Sequence, residues 1–449
     1  MMKRMVVLGA GESGVGAAIL AKAKGYEVFV SDMGEIKPNY AALLDQHSIP
    51  YESGRHTEAL ILNANEVVKS PGIPDSAPMV KALIEQGTPI ISEIEFAARY
   101  TSAKMICITG SNGKTTTTSL IYDILRRAGL DVGLAGNIGN SLALQVAQQD
   151  HQYYVIELSS FQLDNMYDFR ADIAILLNIT PDHLDRYNFE FQNYINAKMR
   201  IIRNQRHEDA LIYWSGDPVL DREIAKLRPT ATLYPFGEDA AQNVAYVERG
   251  QMVVKAFMPF ELPVELLSLK GKHNQYNSMA AAIAAQVLHI KNDVIRESLT
   301  SFEGVEHRLQ YVATVRGVRW INDSKATNVN SCWYALEAMT TPTVLILGGK
   351  DKGNDYSEID ELVKQKCHTL VFMGLHNEKL IEYFSALGYS PDGERRFIDT
   401  HTLADAVQAC YNAARDGDTV LLSPCCASFD LFKSYEDRGE QFMAAVKDL

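Results

Sequence analysis

MICITGSNGKTTTTSL, residues 105–120, is the stretch that decides how this chain is read. The apolar run 105–108 is typical of a buried parallel strand, Gly110 to Gly113 supply a tight polar turn, and Lys114-Thr115 open a helix. That is the layout of a phosphate-binding loop. Glycines let backbone N–H groups close on phosphate oxygens, the helix start adds a favourable dipole, the lysine reaches the outer phosphates and the threonine hydroxyl can ligate Mg²⁺. Ile108 stands where the strict pattern wants a glycine. The plainer alternative is a glycine-rich turn in any strand-to-helix connection. Because G-K-T-T follows an apolar strand, an ATP-using enzyme is the first expectation.

Working outward, 449 residues exceed one ordinary core and suggest about three domains. The formal charge of −13 argues against a nucleic-acid backbone as the main partner, so cations that meet an anionic substrate must be placed locally. Cysteines 107, 332, 367, 410, 425 and 426 contain no C-x-x-C pair, which indicates neither a zinc cage nor a disulfide framework and fits a reducing cytoplasm. Lys3 and Arg4 precede an apolar run too short for a signal peptide, and no stretch reaches the length of a membrane span. A cytoplasmic enzyme acting on small molecules, and a monomer, are expected.

The whole chain reads as α/β, in three segments. Residues 1–93 alternate apolar runs (5–9, 27–32, 66–72 and 89–95) with helical patterns, as in a small doubly wound parallel sheet. The first turn, Gly9-Ala10-Gly11-Glu12-Ser13-Gly14, is G-x-G-x-x-G between a strand and a helix running to about Lys24, and the second strand ends at Asp32. Alone this motif is a nicotinamide-dinucleotide signal, yet a nucleotide-sugar diphosphate satisfies the same N–H groups, and tight strand-on-helix packing is the plain alternative. Residues 94–303 form a second α/β unit, in which a strand ends at Glu157 and another leads into Asn178-Ile179-Thr180-Pro181-Asp182-His183. In a parallel sheet those strand ends share an edge with the phosphate loop, so Glu157 and His183 can approach a Mg²⁺ held by Thr115. Taken singly, Glu157 could instead serve a helix start, and His183 could be a hydrogen-bonded surface histidine. Residues 232–260 are of strand type with a hairpin turn at Arg249-Gly250, and 271–277 cap an alanine-rich helix to about His289. Residues 304–449 are again α/β, with strands at 318–324, 343–349, 369–374 and 418–424 and a third candidate anion turn at Lys350 to Gly353.

TGSNGKTTT at 109–117, GNIG at 136–139, ELSSFQL at 157–163, NITPDHLDRY at 178–187, NAK at 196–198, GKHNQYN at 271–277, HR at 307–308 and NDSKATN at 322–328 together resemble the Mur ligases of bacterial peptidoglycan synthesis. The resemblance covers essentially the whole chain. GAGESG, NDSKATN and SPCCASFDLFKSYEDRG at 423–439 resemble most the branch of that family that adds D-glutamate; sister ligases and folylpolyglutamate synthases share the centre but carry other C-terminal signatures.

The resemblance implies three domains, for the uridine nucleotide, for ATP and for the amino acid. The reaction it implies is an ATP-driven amide ligation in which the carboxylate of UDP-N-acetylmuramoyl-L-alanine is phosphorylated to an acyl phosphate, which the amine of D-glutamate attacks. Gly110, Ser111, Asn112, Gly113, Lys114, Thr115 and Thr116 would hold the phosphates, with Thr115 and Glu157 on one Mg²⁺. His183 and a carbamylated Lys198 would hold a second; from spacing alone Lys198 reads as an ordinary exposed helix lysine. Asn137 would sit near the sugar and the transferring phosphoryl. Asn277, Arg308, Asp323 and Lys325 match ATP-side positions. Thr327, Lys352, Ser428, Lys433 and Tyr435 match the amino-acid pocket, where the loop after Pro424 is expected to offer N–H donors at a helix start. Gly11, Ser13, Gly14, Asp32, Ser70, Pro71 and Gly72 match the uridine-diphosphate side. Lys350 stands where some relatives have an acid, and Met33 departs from the pattern of others.

Overall fold

The strands β1 (Arg4–Leu8), β2 (Glu27–Asp32), β3 (Tyr51–Ser53), β4 (Glu66–Lys69) and β5 (Ile90–Ile91) pair in parallel in the order β3-β2-β1-β4-β5. This is the first sheet of a computed structural model that describes residues 3–351 and 353–449. β1, β2 and β4 are buried along almost their whole length, which is what a sheet covered by helices on both faces requires. A second sheet is built from β6 (Lys104–Thr109), β7 (Val132–Gly136), β8 (Tyr153–Glu157), β9 (Ile173–Leu176), β10 (Ala210–Trp214), β11 (Thr232–Phe236), β12 (Ala245–Glu248), β13 (Gln251–Val254) and β14 (Phe260–Pro263). Its order is β14-β13-β12-β11-β10-β9-β6-β8-β7, parallel from β7 through β12 and antiparallel over the last two pairs. Arg249 and Gly250 turn the β12–β13 hairpin at φ 51° and 75°, as their sequence suggests. A third sheet contains β15 (Gln310–Val315), β16 (Val318–Asn322), β17 (Thr343–Gly348), β18 (Cys367–Met373), β19 (Arg396–Thr400) and β20 (Thr419–Cys425) in the order β15-β16-β20-β17-β18-β19. The chain divides into two units, one running to Ser268 and resuming over Asn274–Phe302, the other made of Leu269–His273 with Glu303–Leu449. The α/β class with parallel-rich sheets is as expected. No described helix is long and apolar enough to cross a membrane.

Two local expectations are corrected. The run 89–95 is a strand only at Ile90–Ile91; a helix starts at Glu93, capped by the Ser92 side chain, which accepts the Glu95 N–H. The S-x-x-E spacing is a helix-start signal, and it outweighs the apparent alternation of PIISEIE. The loop after Pro424 opens no helix: β20 continues through Cys425, and the next helix is Tyr435–Lys447, capped by Ser434.

Within the first unit, the helix Glu12–Ala23 packs on the helices Glu93–Ala98 and Leu142–Gln148. The approach needs Gly16, since a Cβ there would lie 2.0 Å from Ser141 Oγ. Two acids are buried at this junction. Glu95 accepts N–H groups from Tyr167, Asp168 and Phe169 at 3.0, 3.1 and 3.0 Å. Glu93 accepts the Ser141 hydroxyl at 2.7 Å and the Ala143 N–H at 2.6 Å, and burial outweighs those bonds to push its carboxyl up to about 7. A folded-state carboxyl raised from 4.5 holds its proton where the unfolded chain has lost it, so its contribution to stability falls as pH rises from 4.5 to about 7. Urea unfolding at closely spaced pH values is expected to show this decline in the wild type, with Glu93→Gln flattening it by about 3 kcal/mol across the window.

Candidate active site

The turn after β6 is tied down from the neighbouring strand. Ser111 N donates to Asn178 O at 2.8 Å, Asn112 N to Asn178 Oδ1 at 2.8 Å, and Ser111 Oγ to Thr180 O at 2.8 Å. Gly113, at φ 83°, caps the helix Lys114–Arg127, and a Cβ on it would lie 2.5 Å from Asn277 Oδ1. Asn277 is buried, accepts the Thr117 hydroxyl at 3.2 Å and donates to Asn274 Oδ1 at 3.1 Å, so it braces the base of the turn. Thr115 and Thr116 occupy the first helical turn and are buried.

Two lysines meet at one carbonyl. Lys114 Nζ donates to Gly110 O and Ser111 O, both at 2.9 Å, and Lys198 Nζ donates to Gly110 O at 2.7 Å. The helix Phe191–Met199 carries Lys198 inward to 1 % exposure, over the Tyr194 ring at 4.7 Å. Burial, reinforced by the charge of Lys114, drives the Lys198 amine well below the usual lysine range. The exposed helix lysine that spacing suggests is thus absent here. The Tyr194 hydroxyl lies 3.2 Å from Ser111 Oγ.

Glu157 ends β8 at 1 % exposure, in register with Ile108 on one side and Gly136 on the other. Its Oε1 accepts Asn137 Nδ2 at 2.8 Å and its backbone carbonyl accepts Asn137 N at 2.9 Å. Gly136, at φ 102°, is needed there because a Cβ would lie 2.1 Å from Glu157 O. Glu157 Oε2 is buried and meets no donor among the described residues. The following helix, Ser160–Asp164, is capped by Ser159 and Gln162 and makes no use of Glu157. An acceptor left bare in this way at the edge from which the phosphate turn leaves could take a hard cation.

His183 leads the short helical turn Leu184–Tyr187 at φ 51°, with Nε2 3.7 Å from Asp182 Oδ2 and its ring edge-on to Phe161 at 5.1 Å. Sequence reasoning passed over Arg186 of the same motif. Its guanidinium stacks on Phe161 at 4.4 Å and donates to Pro71 O and Gly72 O at 3.4 and 3.3 Å, which ties the 70–72 turn to the second sheet. Aromatic-plus-arginine in FQL…DRY was the available signal.

In the first sheet, a Cβ on Gly14 would lie 1.9 Å from Gly9 O and one on Gly9 2.5 Å from Ser70 Oγ, whereas Gly11 faces open space. Each Asp32 oxygen carries a loop N–H: Oδ2 takes Ala10 N at 2.6 Å and Oδ1 takes Gly34 N at 2.8 Å. The strand-end acid therefore shapes the turn. Ser13 opens the helix beside it.

The second unit carries the remaining candidates. Asp323 is buried, accepts the Ser423 hydroxyl at 2.8 Å and the Leu309 N–H at 3.1 Å, and burial pushes it up to about 6. Lys325 Nζ donates to the Tyr435 hydroxyl at 2.9 Å. Among the described residues, Arg308 keeps a buried Nε without an acceptor, while burial and the Arg308 charge push His273 down to about 3. Ser428 is buried and Lys433 exposed; Thr327 precedes the helix Val329–Glu337. Lys352 lies outside the described residues. Arg438, another residue the sequence reading left aside, is fully buried and donates to Ser324 Oγ, Ser324 O and Cys426 O at 2.9, 2.8 and 3.2 Å, binding the 323–327 and 425–428 loops together.

Family models match in chain order: the Mur ligase MurD-like N-terminal domain over 3–92, the Mur ligase middle domain over 108–285 and the Mur ligase glutamate ligase domain over 307–426. A UDP-N-acetylmuramoylalanine–D-glutamate ligase of Bacteroides fragilis is 65% identical over 449 residues, covering 100% of both chains. One of Bacteroides thetaiotaomicron is 62% identical over 452 residues, again covering 100% of both. Among solved structures, a pseudomurein peptide ligase type C of Methanothermus fervidus matches with TM-score 0.63 at 19% identity over 99% of each chain. A MurF ligase of Thermotoga maritima in complex with ADP matches with TM-score 0.62 at 15% identity, covering 100% of this chain and 98% of that one.

Gly113→Ala places a Cβ against Asn277 at a left-handed φ and is expected to reduce the rise in melting temperature caused by ATP with magnesium to a small fraction of the wild-type shift, measured by differential scanning fluorimetry at matched ligand concentration.

Proposed function

The chain belongs to the Mur ligase family, and on that premise we propose that it is an ATP-dependent amide ligase joining D-glutamate to UDP-N-acetylmuramoyl-L-alanine. Full-length identity to two named D-glutamate ligases supports this choice over a sister ligase or a folylpolyglutamate synthase. The observation that carries the chemistry is Glu157, a buried carboxylate with one oxygen that meets no donor among the described residues, at the end of a strand paired with β6. In the division of labour proposed, residues 1–93 take the uridine nucleotide, 94–303 take ATP, and 304–449 bring the amino acid. The substrates are small molecules, one chain supplies every group invoked, and cytoplasmic action is in keeping with six buried free cysteines.

Both ATP and the muramoyl carboxylate are anions, so neutralising charge while aligning the reactants is the main task. Alignment alone can lower the barrier by about 7–11 kcal/mol. The N–H groups of residues 110–116 and Lys114 Nζ would hold the β and γ phosphates, and Asn137, fixed on Glu157, would orient the sugar end. Gly11, Ser13, Gly14 and the turn 70–72 would receive the diphosphate and uridine. Thr115 and Glu157 would hold one Mg²⁺, and His183 with Lys198 a second; these ions would offset the charge of the phosphoryl and carboxylate oxygens. Lys198 can serve as an oxygen ligand only as a carbamate. Capture of carbon dioxide requires a neutral amine, and its burial beside Lys114 favours that form. The carboxylate attacks the γ phosphorus, ADP departs, and the D-glutamate amine then displaces phosphate from the acyl carbon. Lys325 and Arg308 would meet phosphate oxygens, whereas Asp323 would brace the loop that carries Lys325. Thr327, Ser428, Lys433, Tyr435 and Lys352 would receive the two glutamate carboxylates.

A phosphate-release assay with UDP-N-acetylmuramoyl-L-alanine and a panel of amino acids should show turnover with D-glutamate. Turnover only with another amino acid, or only with a folate acceptor, would refute the assignment. Lys198→Ala should lose about a hundredfold or more in kcat, as expected for removal of a metal ligand. Carbon-13 NMR in labelled bicarbonate should show a carbamate resonance that Lys198→Ala lacks, and full turnover of that variant in bicarbonate-free buffer would exclude the carbamate.

A further inference from the structure

The GAGESG turn places an acid, Glu12, at the first position of the helix Glu12–Ala23, beside loop N–H groups that suit an anion. A free carboxylate there would repel a diphosphate. It is instead held sideways: Glu12 Oε1 accepts the Ser141 N–H at 3.1 Å. Ser141 is gripped from a second side by Glu93, which accepts its hydroxyl at 2.7 Å, and the contact is close because Gly16 has no Cβ. Ser141 closes the turn 136–140, and that turn carries Asn137, whose side chain donates to Glu157 Oε1 at 2.8 Å. Gly136 and Gly139 both take positive φ, and Asn137, Gly139 and Asn140 are exposed; the turn is held at Asn137 by Glu157 and at Asn140 by Gln145, whose side chain donates to Asn140 O at 3.2 Å, so the Ser141 N–H is the point at which the glycine loop engages it. The Glu12 carboxylate therefore joins the glycine loop directly to the turn that reaches Glu157.

We propose that Glu12 is a positioning residue: by accepting the Ser141 N–H it sets the spacing between the glycine loop and the Asn137 turn, so that a nucleotide sugar held at its diphosphate presents its far end beside Glu157. The inference rests on the functional reading above for its kinetic consequence, but the tie itself is a property of the folded chain. Acceptance of the N–H, not negative charge, is the operative feature. Glutamine keeps the acceptor and alanine removes it.

The test uses the full-length protein with Glu12→Ala and Glu12→Gln. Hydrogen exchange followed by mass spectrometry should show the segment 136–142 exchanging several-fold faster in Glu12→Ala, with Glu12→Gln close to wild type. In the ligation assay, Glu12→Ala should lose about tenfold in kcat/KM for the UDP-sugar substrate, the scale of one lost hydrogen bond, with KM for ATP unchanged. Glu12→Gln should recover most of that loss. A purely structural role would lower the melting temperature and leave the ratio of the two KM values unmoved. Unchanged exchange in Glu12→Ala overturns the proposal, as does a Glu12→Gln variant impaired as much as alanine. If the wild type shows no D-glutamate-dependent phosphate release, the functional reading fails, while the exchange measurement still decides whether Glu12 holds the turn.

Discussion

One carbonyl oxygen, that of Gly110, receives the side-chain N–H groups of both Lys114 and Lys198. Two ammonium groups that share one acceptor repel each other. Lys198 is buried as well, and the two effects act in one direction, against its protonation. Lys198 is thereby pushed toward the neutral amine against the opposing pull of the Asp182, Glu157 and Asp164 charges, which leaves Lys114 to meet an incoming polyanion at the phosphate turn.

The second sheet makes this crowding possible through register. β8 lies between β6 and β7, so Glu157 faces Ile108 on one side and Gly136 on the other, and the phosphate turn, the carboxylate and the Asn137 turn leave the same sheet edge. Side chains placed on helices could reach this edge, but only strand ends fix three backbones within one hydrogen bond of each other. Gly136 and Gly113 are needed because the contacts they make leave no room for a Cβ. The 70–72 turn of the first sheet is then linked to the second by Arg186, whose stacking on Phe161 orients the guanidinium toward two backbone carbonyls.

Much of this was legible in the residues. The strands β1, β2, β6, β8 and β17 announce themselves as apolar runs ending in turn chemistry, and the phosphate turn survives the missing glycine because β6 continues through Ile108 to Thr109, both fully buried in the sheet. Short or edge strands such as β3 and β7 carry too little pattern to be read. PIISEIE misleads because two buried acids, Glu93 and Glu95, alternate with apolar residues, and their partners are backbone groups distant in sequence. Lys198 is illegible by spacing for a related reason: nothing in a nine-residue helix says which turn will be pressed against Gly110. Only the joint motif resemblance singled it out. Glu12, Arg186 and Arg438 were hidden because each acts through a backbone group that the fold alone brings near.

The acidic balance of the chain acquires a physical meaning in this light. With 56 acidic and 43 basic residues, a polyanion approaching the surface meets a repulsive average field. At physiological ionic strength that field decays over about 8 Å, whereas a buried cation is screened far less. Lys114, fixed at the phosphate turn, therefore acts on an anion in contact more strongly than a distributed acidic surface does, and the same surface disfavours nucleic acids, which would need many phosphate contacts at once. Glu12 shows the other use of an acid here: at the start of a helix beside an anion loop, its carboxylate accepts a backbone N–H of the adjoining turn and so joins the two segments.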